Sequence, residues 1–348
     1  MTLSAGKLWG MRRIADSGGR FKMTAVDQRP PIKNLIMEKL GLTEAPWQDM
    51  ADFKTLLIEE LQSESSAMLL DPHYAYPGGI GLLCPTKGLI VTLEDSVFQE
   101  TSGGRLSRGI DDWSVEKIKR VGGDAVKVLA WDRPDAATAV TQHQQDFVAR
   151  IGEACIKYDI PFVLELLVYP LAKDKEQTKD YVEMKTKRPE LVLQSVETYA
   201  DPKYGVDLFK LESPIAASDV PGVDGDGADD AQQWFDALGQ AAGRPWVMLS
   251  AGAGMEAFQK ILTHAYKAGA SGYLAGRAIW WKAFQNFPDI NAIRADLKGD
   301  AIAYMRQLNA LTDELATPWF SHKSTITSGA SVAPADAGFR HAYPGFGE

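Results

Sequence analysis

Three charged residues interrupt stretches that otherwise read as strands buried on both sides. Lys127 lies within Ala-Val-Lys-Val-Leu-Ala, Glu165 within Val-Leu-Glu-Leu-Leu, and Lys210 within Asp-Leu-Phe-Lys-Leu-Glu. Burying an isolated charge is costly, so a strand keeps one only where it meets a partner or a polar cavity. One lysine and one glutamate would make a structural ion pair; a second lysine leaves that pair unbalanced. The set suits imine chemistry. An amine attacks a carbonyl only when neutral, so a nucleophilic lysine must lose its proton well below the usual value of about 10.4. A second ammonium about 6 Å away, at an effective dielectric of about 20, contributes on the order of 3 kcal/mol, about two pKa units. Partial desolvation acts in the same direction. On this reading Lys210 is the nucleophile and Lys127 the neighbouring charge. Glu165 is then the general acid and base that forms the carbinolamine and moves protons at carbon. Glu212, two residues beyond Lys210 and on the same strand face, is a second candidate for that role.

Further polar residues gather where strands should end. Ser250 and Gly252 fall in Leu-Ser-Ala-Gly-Ala, Gly276 and Arg277 in Ala-Gly-Arg. These are the loops after the seventh and eighth candidate strands, where a barrel commonly holds a phosphate with backbone N–H groups and a cation. Asp27, Gln28 and Arg29 close the first candidate strand, and Asp71 follows the second. Spacing alone fits these four equally to substrate contact and to a solvated turn. The histidines, His73, His143, His264, His322 and His341, form no H-x-x-x-H or H-x-H pair, so neither a His-ligated metal nor a cofactor is expected.

The elements that must position these residues follow a rhythm of short apolar runs at 23–26, 67–70, 89–93, 125–130, 162–168, 206–211, 246–249 and 272–275. Most are bounded by Gly, Pro or Asp and read as strands of a parallel sheet covered by helices. Helical patterns lie between them at 51–63, 136–158, 181–199, 229–242 and 255–268. Phe53, Leu56, Leu57 and Leu61 make the apolar stripe of the first, and Gly269 is the expected C′ residue of the last. Eight strands alternating with helices over about 280 residues predict an α/β fold, a (β/α)8 TIM barrel, close to the usual size of about 250 residues. A doubly wound open sheet is the rival, but the Gly-rich dinucleotide fingerprint is missing after the first strand. The barrel is expected over residues 1–318. The Gly-, Asp- and Pro-rich stretch 214–230 reads as a mobile excursion over its mouth. Residues 319–348 read as a tail whose Phe339, Tyr343 and Phe346 favour docking on a neighbouring subunit over free disorder.

Composition sets the outer bounds. The 348 residues are 45% apolar and 24% charged, with a net charge of −9. That is ordinary for a globular chain and argues against nucleic acid as a partner. No run of about 18 apolar residues is present to cross a membrane, and residues 1–21 lack a signal-peptide core. Cys84 and Cys155 are far apart and outside any C-x-x-C pattern, as expected of reduced thiols in a cytoplasmic protein.

Taken as a set, Val-Asp-Gln-Arg (26–29), Leu-Leu-Asp-Pro (69–72), Gly-Asp-Ala-Val-Lys (123–127), Leu-Glu (164–165), Val-Asp-Leu-Phe-Lys-Leu-Glu (206–212), Leu-Ser-Ala-Gly (249–252) and Ala-Gly-Arg-Ala (275–278) resemble the class I tagatose-1,6-bisphosphate aldolases. The related sulfofructose-phosphate aldolases share the likeness, which runs from about residue 20 to 285. The resemblance implies a barrel whose lysine at position 210 forms the imine, with Asp27, Gln28, Lys127, Glu165, Ser250 and Arg277 lining the substrate site. It implies metal-free cleavage of a phosphorylated ketose to dihydroxyacetone phosphate and an aldehyde, or the same step on 6-deoxy-6-sulfofructose 1-phosphate. The sequence departs from the family where the first motif continues Pro-Pro-Ile, in a loop that would hold the substrate's distal anion. A catalytically silent sugar-phosphate sensor would need the phosphate loops but not Lys210. A homo-oligomer is expected only because cytoplasmic barrel enzymes usually form one.

Overall fold

The computed structural model of the chain describes residues 3–172, 174, 184, 188–322, 332 and 335–345. Eight parallel strands close a barrel: β1 (Phe21–Ala25), β2 (Ala67–Leu70), β3 (Gly88–Thr92), β4 (Ala125–Trp131), β5 (Phe162–Leu167), β6 (Leu208–Leu211), β7 (Trp246–Met248) and β8 (Gly272–Ala275). Each pairs with its neighbours in chain order, and β8 returns to β1 with Phe21 opposite Gly272. That seam requires glycine. Gly272 has φ +149°, and a Cβ there would lie 1.9 Å from the Phe21 carbonyl oxygen.

Helices cover the barrel, and the strands' outward side chains share the main apolar core with them. Inward positions alternate with a period of two and sort into layers. The lowest is apolar: Phe21, Ala67, Ile90, Ala125, Val163, Leu208, Val247 and Leu274. Two residues further along the strands the layer turns polar, with Thr92, Lys127, Glu165 and Lys210. Below the apolar layer the helix Ala5–Ile14 closes the floor through Met11 and Ile14, joined by Trp319. Lys7 anchors this helix through a buried ion pair with Asp207, 2.7 Å long, just before β6. Sequence patterning did not anticipate this helix.

Differences from the expected elements are small. The first predicted helix starts earlier, at Trp47. Of the helix expected at 181–199, Pro189–Tyr199 is observed, and most of its first part lies outside the described residues. Gly269 has the left-handed φ of +92° expected of a C′ residue. An unexpected antiparallel hairpin, Gln99–Thr101 with Gly104–Leu106, follows β3. The stretch 214–230 holds a short 3-10 turn, Ala217–Asp219, before the helix Ala228–Ala242. Within the tail, Trp319 belongs to the barrel floor. The Tyr343 hydroxyl donates to Asp159 and accepts from the Ala5 N–H of the same chain. Phe346 lies outside the described residues.

Candidate active site

The polar layer opens into a cavity of about 520 Å³, counted out to its mouth. Asp27, Gln28, Arg29, Glu94, Ser96, Lys127 and Lys210 line it, together with Pro30, Pro31, Phe98, Leu129 and Trp131. It lies at the C-terminal ends of the strands, where barrel active sites are built. Its mixed polar and apolar walls suit a small organic substrate.

At its base five side chains form one ionic cluster. Lys127 Nζ donates to Asp27 Oδ2 at 2.9 Å and to Glu94 Oε1 at 2.6 Å, and stands 2.8 Å from Glu165 Oε2. Lys210 Nζ donates to that same Glu165 oxygen at 2.9 Å. Strand register brings this about, because Glu165 pairs directly with Lys210 on β6, and Lys127 with Thr92 on β3. Glu165 is fully buried, and its Oε1 has no hydrogen-bond partner. Burial alone would lower the pKa of Lys127, but Asp27, Glu165 and Glu94 override it and hold the group well above the ordinary lysine value. Burial would likewise raise the Asp27 carboxyl, yet the Lys127 and Lys210 ammonium groups keep it far below the usual carboxylate range.

A carboxylate therefore stands between the two lysines. The repulsion expected between Lys127 and Lys210 is largely cancelled by Glu165, and the geometry offers a different route to a neutral amine. The Lys210 proton has an acceptor within hydrogen-bond reach. Asp27, Glu94 and Glu165 form an acidic cluster that would attract a cation, and the Lys127 ammonium already occupies its centre. Among the described residues, no group of His, Cys, Asp or Glu side chains is arranged to hold a metal ion.

The other candidates separate. Gly276 packs against Gln28, since a Cβ there would sit 2.7 Å from Gln28 Nε2. After β7, Ala251 and Gly252 both take left-handed backbone, φ +45° and +87°. For Ala251 this is an uncommon conformation that a supporting structure must impose. Gly252 leaves room for the Arg277 guanidinium, which would lie 3.4 Å from a Cβ at that position. Ser250 is buried in the same loop, so these four residues form one patch bordering Gln28. Asp71 is not on the cavity wall. It is fully buried, ion-paired with Lys54, and accepts the N–H groups of His73 and Tyr74. Lys54 also donates to the Val26 carbonyl at 2.7 Å, so the pair fixes the chain just before Asp27. Glu212 accepts the Val168 N–H at 2.7 Å. Glu94 was missed in the sequence, although Ile90, Thr92 and Glu94 continue the inward alternation of β3. The aromatic wall was missed as well. The Arg105 guanidinium lies 4.3 to 4.8 Å from the ring centroids of Phe98, Trp131 and Tyr169, pinning the hairpin beside the mouth.

Residues 21–282 match the DeoC/LacD family aldolase model. The tagatose 1,6-diphosphate aldolase of Lactococcus lactis subsp. lactis is 31% identical over 327 residues, covering 92% of this chain and 99% of the relative. Tagatose 1,6-diphosphate aldolase 1 of Streptococcus mutans is 33% identical over 328 residues, with the same coverage. Among solved structures, a Schiff-base-forming fructose-1,6-bisphosphate aldolase aligns at a TM-score of 0.57 and 18% identity, over 87% of this chain and 98% of that one. The Plasmodium falciparum fructose-bisphosphate aldolase aligns at 0.63 and 14%, over 91% and 98%. At these identities the structural likeness concerns the fold. No helix among the described residues is long and apolar enough to cross a membrane. By family match and by relatives spanning nearly its whole length, the chain belongs to the DeoC/LacD family and is a class I aldolase, a carbon–carbon lyase.

Proposed function

We propose that the enzyme cleaves a ketohexose bisphosphate of the tagatose or fructose 1,6-bisphosphate type through an imine on Lys210. The observation that carries this reading is the Lys210–Glu165 contact of 2.9 Å on the cavity floor. Lys210 gives its proton to Glu165, and the neutral amine adds to the C2 carbonyl to form a carbinolamine. Protonated by Glu165, the carbinolamine loses water and becomes the iminium. The C4 hydroxyl then gives its proton to the carboxylate, the C3–C4 bond breaks, and its electron pair passes into the enamine. The aldehyde half, such as glyceraldehyde 3-phosphate, leaves. Protonation at C3 and addition of water to the imine release dihydroxyacetone phosphate and restore the amine. Lys127 keeps Asp27 ionised and holds Asp27 and Glu165 in place, and Asp27, on the cavity wall, orients a sugar hydroxyl. The patch of Ser250, Gly252, Gly276 and Arg277 receives the phosphate of the ketone half. The tagatose 1,6-diphosphate aldolases among the relatives support this choice of sugar. The exposed Cys84 and buried Cys155, both free thiols, accord with a cytoplasmic enzyme, and we place it there as a homo-oligomer.

Borohydride trapping with dihydroxyacetone phosphate, read by peptide mass spectrometry, tests the reading. A reduced adduct on Lys210 is expected. If phosphosugar binds but no adduct forms, the imine mechanism fails and a sugar-phosphate-sensing role takes its place.

A further inference from the structure

We infer that Glu94 is a specificity residue for the aldehyde half of the substrate, where its carboxylate accepts a hydrogen bond from the hydroxyl next to the aldehyde carbon, C5 of the ketose. This rests on the imine reading above and adds to it a named contact beyond the bond that breaks.

Glu94 stands where the far half of the substrate must pass. The barrel closes in the order of its eight strands, so β3 and β7 are four places apart in either direction. Glu94, two residues past the end of β3, therefore lies across the mouth from the loop after β7 that carries Ser250 and Gly252. A ketose joined to Lys210 at C2, with the phosphate of its ketone half in that loop, runs its remaining carbons toward β3. There the cavity wall is made by Glu94, Ser96 and Phe98, and Leu129 and Trp131 beside them are apolar. A hydroxylated chain entering this side meets one carboxylate in a largely apolar surround.

That carboxylate is fixed before any ligand arrives. It is only 3% exposed. Lys127 Nζ donates to Oε1 at 2.6 Å, the Thr92 hydroxyl donates to Oε2, and the Glu94 carbonyl accepts from Arg29 Nη2 at 3.0 Å. Side chain and backbone are thus both pinned, and the oxygens cannot turn away from an ill-fitting ligand. A carboxylate offers about four lone-pair positions. Lys127 and Thr92 use one on each oxygen, and Arg29 Nη2, 4.0 Å from Oε1, is too distant to take another. A hydroxyl suits the remaining capacity, because it donates a proton and brings no negative charge. Glu94 is also more than Lys127 needs as a counterion, since Asp27 and Glu165 already stand 2.9 and 2.8 Å from that ammonium.

The test is condensation of dihydroxyacetone phosphate with two acceptors, glyceraldehyde 3-phosphate and the same aldehyde lacking its 2-hydroxyl, which becomes C5 of the product. Both carry the same phosphate, so binding of the anion cancels. The ratio of their kcat/KM values contains the intrinsic reactivity of the two aldehydes, which is common to every variant. Glu94→Ala should lower that ratio by about 10- to 100-fold relative to the native enzyme, as expected of a hydrogen bond to a charged acceptor. Glu94→Gln, which keeps the shape and one acceptor oxygen, should lower it less. A residue that only props Lys127 would slow both acceptors equally and leave the ratio unchanged, and that result overturns the inference. A native ratio of one or below overturns it as well. If Glu94→Ala does not fold, the isosteric Glu94→Gln and the native ratio still decide. Absence of a borohydride adduct on Lys210 in the native enzyme would instead overturn the imine reading, so the two failures are distinguishable.

Discussion

Lys127 is the keystone of the site's electrostatics, and its replacement by methionine gives the most informative perturbation. Methionine keeps length and approximate volume but removes a charge that contacts three carboxylates at 2.6 to 2.9 Å. Deleting one partner of a buried ion pair costs about 3–5 kcal/mol, because the remaining charges stay buried without compensation. For 348 residues, an unfolding entropy of about 2.1 cal/mol/K per residue makes one kcal/mol worth about 1.4 °C. The variant should therefore melt about 4–7 °C below the native enzyme near pH 8. The pH dependence carries the sign. In the native protein Asp27 is depressed below its unfolded value, so its stabilisation is present above about pH 4 and lost only in stronger acid. Lys127 is raised, so its share is fully present below the unfolded lysine value of about 10.4 and is lost as the pH rises from there through its elevated value. In Lys127→Met, Asp27 loses the ammonium that depresses it and is left beside Glu94 and Glu165, so its pKa rises and its protonation relieves the strain. The melting deficit should thus shrink between about pH 8 and pH 5, and Glu94→Gln added to Lys127→Met should recover part of it. Thermal melts by circular dichroism across that range, paired with activity at neutral pH, read out both effects. A deficit that stays constant with pH, or one below about 1 kcal/mol, would show that the three carboxylates do not depend on Lys127.

Lys210→Met should abolish cleavage, measured by a coupled assay for triose phosphate, while leaving the circular dichroism spectrum unchanged; a fully active variant would sink the mechanism. Prolonged EDTA treatment should leave turnover intact, and loss restored by Zn2+ would point to a metal mechanism. Asp132, buried beside the Tyr199 hydroxyl at 3.1 Å, has its carboxyl pushed up to about 7 by burial. Ionising it inside the fold is unfavourable, so stability should fall as pH rises from the unfolded carboxylate value of about 4 to about 7 and level off above that. Asp132→Asn should flatten the slope, melting above the native enzyme near pH 8 and converging with it only near pH 4. A parallel pair of melting curves would remove Asp132 as the cause.

What the sequence revealed depended on whether the signal was local. Inward alternation along a strand is local, so Lys127, Glu165 and Lys210 stood out against apolar neighbours, and the strand positions followed from the same runs. Glu94 obeyed that rule too, but Asp95 and Ser96 after it read as the start of a loop. Lys54 could not be found this way. It occupies a polar slot beside Phe53 and Leu57 on an amphipathic helix, and only the packing of that helix on β2 reveals that it meets Asp71. The floor helix escaped for a related reason: its weakly apolar face includes Lys7, whose burial depends on Asp207, 200 positions away. The hairpin and its aromatic clasp on Arg105 likewise depend on Tyr169, from a different strand end. The charge repulsion inferred from the two lysines lacked one fact that only register supplies, namely that Glu165 lies directly across from Lys210.

The closed floor also imposes an order on traffic. With Met11, Ile14 and Trp319 sealing the barrel below the polar layer, the chamber is a cul-de-sac, and the mouth must serve as entrance, exit and water inlet together. While an aldehyde occupies the outer half, it corks the passage through which hydrolytic water would come. On the proposed imine mechanism, the adduct would survive until the bond has broken and the cork has left, when water can enter and free the ketone half. Run in reverse on that same mechanism, the dead end would make the ketone phosphate the first arrival, because an aldehyde lodged ahead of it would bar the way to Lys210.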